Sequence, residues 1–256
     1  MKRAKPIIVA NWKGYVQTPE EVKKFVQAIK RFPRLLAACD VMLAPSYTLL
    51  SVLAALSKTS RVAVGSQALS PSAGGAHTGD VSALMLKASG ASFSIVGHSE
   101  RRSAPASEDE ENIRQQTLRA SEAGLGVVLC VGERERDPSG AHFNIIAAQL
   151  SSALAALPQK SLGKFMIAYE PVWAIGKTAG EAMQPSDLQE MVIFIRKTLT
   201  QTLERAGALR VPILYGGSVE AENIAVLYAE GGVSGFLVGH ASAKSESFIG
   251  MLQALS

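Results

Sequence analysis

A chain of 256 residues is long enough for one large α/β barrel or for two small domains. Hydrophobic residues at 47% against 19% charged exclude a disordered chain. The formal charge of +4 comes from basic residues scattered along the chain, so a nucleic-acid-binding stripe is excluded, and the excess suits a small anionic substrate or an unpartnered basic surface.

The opening residues Met1 to Lys13 carry an apolar stretch that ends at Asn11 and Lys13, too short for a signal-peptide core. No apolar run is long enough to span a membrane. The two cysteines, Cys39 and Cys130, sit in the apolar contexts AACDVML and VVLCVGE with no metal-ligand spacing around them. They read as buried free thiols of a reducing, cytoplasmic setting, and no metal site is expected.

Eight short apolar runs follow one another, at 6–10, 41–44, 62–65, 93–97, 127–130, 165–169, 211–215 and 235–239. Most lack polar alternation, as strands covered on both faces of a parallel sheet do. Helical spacing falls between them. Thr18 and Ser186 are the expected N-caps before Val22-Phe25-Val26-Ile29 and Leu188-Met191-Val192-Ile195, and further helices are expected at 47–56, 82–88, 107–123, 143–157, 221–228 and 245–255. Eight strand and helix units joined by right-handed crossovers predict a closed (β/α)8 TIM barrel spanning 1–256 as one domain. A doubly wound open sheet is the alternative, weakened by the lack of a glycine-rich fingerprint after the first strand.

A barrel of this kind builds its active site at the C-terminal ends of its strands. There the sequence places Asn11-Trp12-Lys13, Gly97-His98-Ser99-Glu100-Arg101-Arg102, a segment from Glu170 to Gly176, Gly216-Gly217-Ser218 and Gly239-His240. Singly, each residue has an ordinary reading: a solvated lysine, a structural histidine, a helix-start carboxylate, a tight turn. Convergence at one face favours proton transfer beside a carbonyl, with a carboxylate as base, an imidazole and an ammonium on oxygen, and glycine-rich turns on a phosphate. No nucleophile-base-acid triad is present to favour hydrolysis.

The motifs Asn11-Trp-Lys13, Gly97-His-Ser-Glu-Arg-Arg102, Cys130-Val-Gly-Glu133, Tyr169-Glu-Pro-Val-Trp-Ala-Ile-Gly176 and Tyr215-Gly-Gly-Ser-Val219 resemble the triosephosphate isomerase family, in order over nearly the whole chain. The resemblance implies interconversion of dihydroxyacetone phosphate and glyceraldehyde 3-phosphate, without cofactor or metal. It implies Glu170 as base, His98 as electrophile and Lys13 and Asn11 as polar partners of substrate. Gly176, Ser218, Gly239 and His240 match the phosphate-binding positions. The stretch 171–179 resembles the family's mobile lid, and Ser70 to Asp80 resembles the loop that members insert into a second subunit, which implies a homodimer.

Two departures stand out. After Gly176 the chain runs Lys177-Thr-Ala-Gly-Glu-Ala-Met in place of the usual lid hinge, and His240 replaces the second glycine of the last phosphate turn. A tetrulose phosphate isomerase is therefore the rival reading, and an inactive barrel that only binds is a distant one.

Overall fold

In the computed structural model, residues 4–103, 107–177 and 183–256 are described. Thr18 acts as the expected cap: its hydroxyl accepts from the Glu21 amide and the Glu21 carboxylate accepts from the Thr18 amide, satisfying two donors that a helix start leaves unpaired. Helix α1 (Pro19–Lys30) then buries Val22, Phe25, Val26 and Ile29, one face at helical spacing.

The chain alternates as predicted. In its first half β1 (Ile7–Asn11) and α1 precede α2 (Pro33–Ala38), β2 (Asp40–Ala44), α3 (Tyr47–Ser57), β3 (Ala63–Ser66), α4 (Ala83–Ala88) and β4 (Phe93–Val96). Then come α5 (Ser99–Arg102), α6 (Glu110–Glu122), β5 (Gly126–Val131), α7 (Ala141–Ala155), β6 (Phe165–Tyr169), α8 (Pro185–Thr202), α9 (Arg205–Arg210), β7 (Ile213–Tyr215), α10 (Ile224–Glu230), β8 (Gly235–Val238) and α11 (Ser245–Ala254). All eight strands pair in parallel with their sequence neighbours, and β1 closes on β8 with Ile7 opposite Gly235. The result is a closed (β/α)8 barrel.

The absence of alternation in the strands now has its cause. Val9, Met42, Phe93, Ile95, Val128, Cys130, Ala168, Leu214 and Leu237 fill the barrel interior. Their neighbours Ile8, Ala10, Val127, Leu129, Ile167 and Phe236 pack outward beneath the helices. Both faces of each strand exclude water, so both must be apolar. Cys39 and Cys130 are buried free thiols as expected; burial pushes Cys39 up to about 11 and drives Cys130 well above the ordinary thiol range, with the Glu170 charge adding to the latter.

Ser186 is not an N-cap. Gln184 takes that place and Pro185 opens α8, its fixed φ and missing N–H suiting the first helical position, so Ser186 lies inside the helix. The strand expected from 211 starts at Ile213 because Pro212 has no N–H to give to a ladder. Asp109 rather than Ser107 starts the helix expected at 107–123, its carboxylate accepting from the Asn112 amide at 2.8 Å. The helix expected from 221 begins at Ile224, because the Asn223 side chain first bridges the Glu220 amide and the Ser218 carbonyl. Helices α2, α5 and α9 are six, four and six residues long, too short to show a period in sequence.

Candidate active site

The C-terminal strand ends open into a cleft of about 450 Å³ whose walls include Asn11, Lys13, His98, Glu170, Gly176, Ser218, Gly239 and His240. The eight positions that the resemblance gives a catalytic or phosphate-binding role all line it. Asn11 ends β1 and is buried, and its side-chain oxygen accepts the Lys13 amide at 3.1 Å. Lys13 itself has φ of 46°, a left-handed conformation that costs a side-chain-bearing residue on the order of 1–2 kcal/mol. The Asn11 contact and a 2.9 Å bond from Gln67 Nε2 to the Lys13 carbonyl hold it there. The bend sends the ammonium across the mouth to Glu100 Oε1 at 2.7 Å.

His98 follows β4 and caps α5, its Nδ1 accepting the Glu100 amide at 3.2 Å. A nitrogen that accepts carries no proton, so a neutral ring holds its proton on Nε2. Nε2 lies 3.2 Å from Glu170 Oε1, and the other carboxylate oxygen accepts the Ser99 amide at 3.0 Å. The His98 and Glu170 side chains are 8% and 3% exposed, so their interaction takes place largely out of water. Two glycines permit the approach. A Cβ on Gly132 would lie 1.8 Å from the Glu170 carbonyl oxygen, and one on Gly216 would lie 2.7 Å from Glu170 Cγ.

Behind this pair Glu133, fully buried beyond β5, accepts from Tyr169 Oη at 2.9 Å and Trp173 Nε1 at 2.8 Å. Burial, then the Glu133 charge, drives the Tyr169 phenol up, so it stays a donor. Val172 to Ala174 form a 3-10 turn, and Arg136 lies over the Trp173 ring at 5.8 Å, within 4.0 Å of Glu133 and 3.9 Å of Asp187 and Glu190. This first part of the segment expected to form a lid is thus pinned to the barrel. Residues 178 and 179, and most of the altered hinge sequence, lie outside the described residues.

The opposite end of the cleft is made of turns. Gly176 has φ of 75°, open to glycine without strain, and Ser218 Oγ donates to the Ala174 carbonyl at 2.9 Å. Gly239 follows β8, and His240 opens a 3-10 helix, His240–Ala243, with an exposed ring set edge to face against Tyr15. The segment 70–80 projects from the same end of the barrel. Ser70 Oγ donates to Asp80 Oδ2 at 2.6 Å and closes its base, while residues 73–80 are exposed.

Glu100, Glu133, Arg136, Tyr15 and the Ser99 amide carry the geometry of the site but were given no role from sequence. Glu100 and Glu133 lie inside the Gly97–Arg102 and Cys130–Glu133 motifs, and their spacing from His98 and Cys130 is the signal the sequence carries for them. Nothing in the sequence marked Tyr15 or Arg136. Among the described residues, no group of three or more His, Cys, Asp or Glu side chains could hold a metal ion, and no helix is long and apolar enough to cross a membrane.

Fold and site together define a (β/α)8-barrel enzyme with a buried carboxylate and imidazole paired at the strand C-termini and a glycine-rich turn facing them. The triosephosphate isomerase family model matches residues 6–255. The triosephosphate isomerase of Idiomarina loihiensis is 37% identical over 250 residues, 97% of each chain, and that of Flavobacterium johnsoniae is 36% identical over 252 residues, 98% of this chain and 99% of the relative. The chain belongs to the triosephosphate isomerase family.

Proposed function

We propose that the protein interconverts dihydroxyacetone phosphate and glyceraldehyde 3-phosphate by proton transfer through an enediolate. The observation that carries this reading is the His98 and Glu170 pair, whose Nε2–H and carboxylate face one cleft while Nδ1 is already taken by the Glu100 amide. Glu170 removes the proton from the carbon beside the carbonyl and returns it to the neighbouring carbon. His98 Nε2–H donates to the carbonyl oxygen, and the Lys13 ammonium offsets the charge that develops there. Both Glu170 oxygens are engaged in the structure, so the carboxylate must leave the Ser99 amide to meet substrate.

Gly176, Ser218, Gly239 and His240 hold the phosphate, mainly through main-chain N–H groups, and Asn11 fixes Lys13 and contacts the substrate. A coupled assay tests the reading: glyceraldehyde 3-phosphate should give a higher kcat/KM than any tetrulose phosphate. A tetrulose phosphate preferred by tenfold or more would remove the triose assignment while keeping the isomerase class.

The proposal extends to a cytoplasmic, one-domain homodimer. A depression of about 280 Å³ beside Lys13 and His98, lined also by Ser46, Tyr47, Gln67 and Arg101, is a place for the 70–80 loop of a second copy, with Thr78 near Asn11. One domain is supported by the pairing of β1 with β8, and the cytoplasmic setting by two buried free thiols. Activity should fall on dilution or when residues 73–78 are shortened. A fully active monomer in sedimentation at micromolar concentration would count against the dimer.

A further inference from the structure

Tyr15, in the loop after β1, and His240, one residue beyond the turn glycine that follows β8, stand side by side at the cleft mouth because these two strands are neighbours in the barrel. Their ring centroids are 4.8 Å apart with planes at 74°. The same two rings also line a neighbouring depression of about 270 Å³ with Val16, Glu21, Ala243 and Lys244, so they form the partition between it and the anion end of the cleft. An exposed histidine samples many rotamers. A ring contact from another element restricts them, and here it holds the imidazole in the cleft wall.

The charges around the pair are mixed. Glu21, on α1, faces it from the depression and is kept anionic because the Gln17 and Thr18 amides hold its carboxyl below the usual range. Lys244 faces it from the start of α11, and Lys13, Lys177 and Glu220 share the cleft with it. The Lys13 side chain runs close to the adjoining turn, for a Cβ on Gly239 would lie 3.2 Å from its Cε. An anion arriving at this turn meets backbone N–H groups first. A protonated imidazole beside them adds a full positive charge, and linkage makes anion binding and ring protonation favour each other.

We propose that Tyr15 and His240 act together as an anion-sensing pair, Tyr15 positioning the imidazole at the phosphate end so that affinity for phosphate-bearing substrate rises as pH falls. The identity of the substrate and the placing of its phosphate at this turn both rest on the isomerase reading above.

The test is calorimetry with inorganic phosphate on the full protein, at pH 6 and pH 8, where a free imidazole passes from largely charged to neutral. Parent, His240→Gln, Tyr15→Leu and Tyr15→Phe are compared, with circular dichroism as the folding control. Variant-to-parent ratios are read because the second ionisation of phosphate is common to all. His240→Gln should raise the phosphate Kd about tenfold to a hundredfold at pH 6 and less than about twofold at pH 8, the scale of one charge-assisted contact. Tyr15→Leu should reproduce part of that pH-dependent loss, and Tyr15→Phe, which keeps the ring, should restore it. In turnover of glyceraldehyde 3-phosphate the loss should fall on KM rather than kcat. Equal Kd for parent and folded His240→Gln at both pH values would overturn the proposal, as would a Tyr15→Leu loss that is the same at both. A parent that binds phosphate through the pair yet isomerises no triose phosphate would remove the isomerase reading instead.

Discussion

On the β4 to β6 side of the cleft His98, Glu170 and Glu133 are buried and each is held by hydrogen bonds to amides or side chains of other elements. On the β7 to β8 side Gly239 and His240 lie nearer to solvent, and this end of the cleft offers a turn and an exposed ring. The first side has little room for change, because a buried charge that loses its partner keeps its desolvation cost. The second can vary, because main-chain N–H groups serve almost any side chain. The motifs that carry His98, Glu133 and Glu170 keep the family pattern on the buried side, and the departure at His240 falls on the open one.

The sharpest way to break the contrast is Glu170→Gln. An amide of the same shape can still accept from Ser99 but cannot take a proton, so kcat should fall about 10²–10⁴-fold while the protein folds normally. His98→Gln should cost less, since a side-chain N–H can still reach the carbonyl oxygen. Near-parental turnover in folded Glu170→Gln would remove the buried pair from the chemistry, and stopped assays with thermal denaturation as control read both.

Glu133→Ala comes next. It strips the acceptor from the buried Tyr169 hydroxyl and from Trp173 Nε1, and the expected loss of stability is about 2–4 kcal/mol, seen as a Tm lower by several degrees. Arg136 and Trp173 should loosen together, because the Glu133 carboxylate is their shared partner, while the main-chain bond from the Val172 amide to the Glu133 carbonyl remains. Trp173 fluorescence reports that change, and an unchanged Tm and spectrum would show that the buried side is less tightly coupled than its bonds imply.

The smallest effect is expected at Glu100, half-way between the two regimes. Burial pushes its carboxyl up, but the Lys13 hydrogen bond and charge, with His98, outweigh burial and the net shift is downward. A carboxylate lowered in the folded state contributes stability above its unfolded value and loses it as pH falls through the folded one. Parent and Glu100→Gln should therefore differ most near neutrality and converge in acid. Because the Glu100 side chain is 62% exposed, solvent screening should keep the difference to about 2 °C in Tm or less. A gap that widens in acid would reverse the assignment.

Much of this was legible in the chain itself. The eight apolar runs specified the barrel because strands buried on both faces cannot afford polar positions, and the strand-end rule then picked out Asn11, Lys13, His98, Glu170, Ser218 and Gly239 without any distance. Local chemistry also announced Thr18, whose capping box is complete within four residues. Ser186 misled for the same reason that Thr18 succeeded: the polar residue was visible, but Pro185 had already taken the position that decides where the helix starts.

Tertiary structure alone decided what lies across the mouth. Lys13 meets Glu100 over a separation of 87 residues, Glu170 meets Ser99 over 71, and Trp173 meets Glu133 over 40. Tyr15 and His240 are brought into contact only because β1 closes on β8. Periodicity and capping act within a few residues and carry their signal in composition. Contacts across a closed barrel depend on which side chains its curvature aims at one another, and that becomes visible only once the sheet has closed.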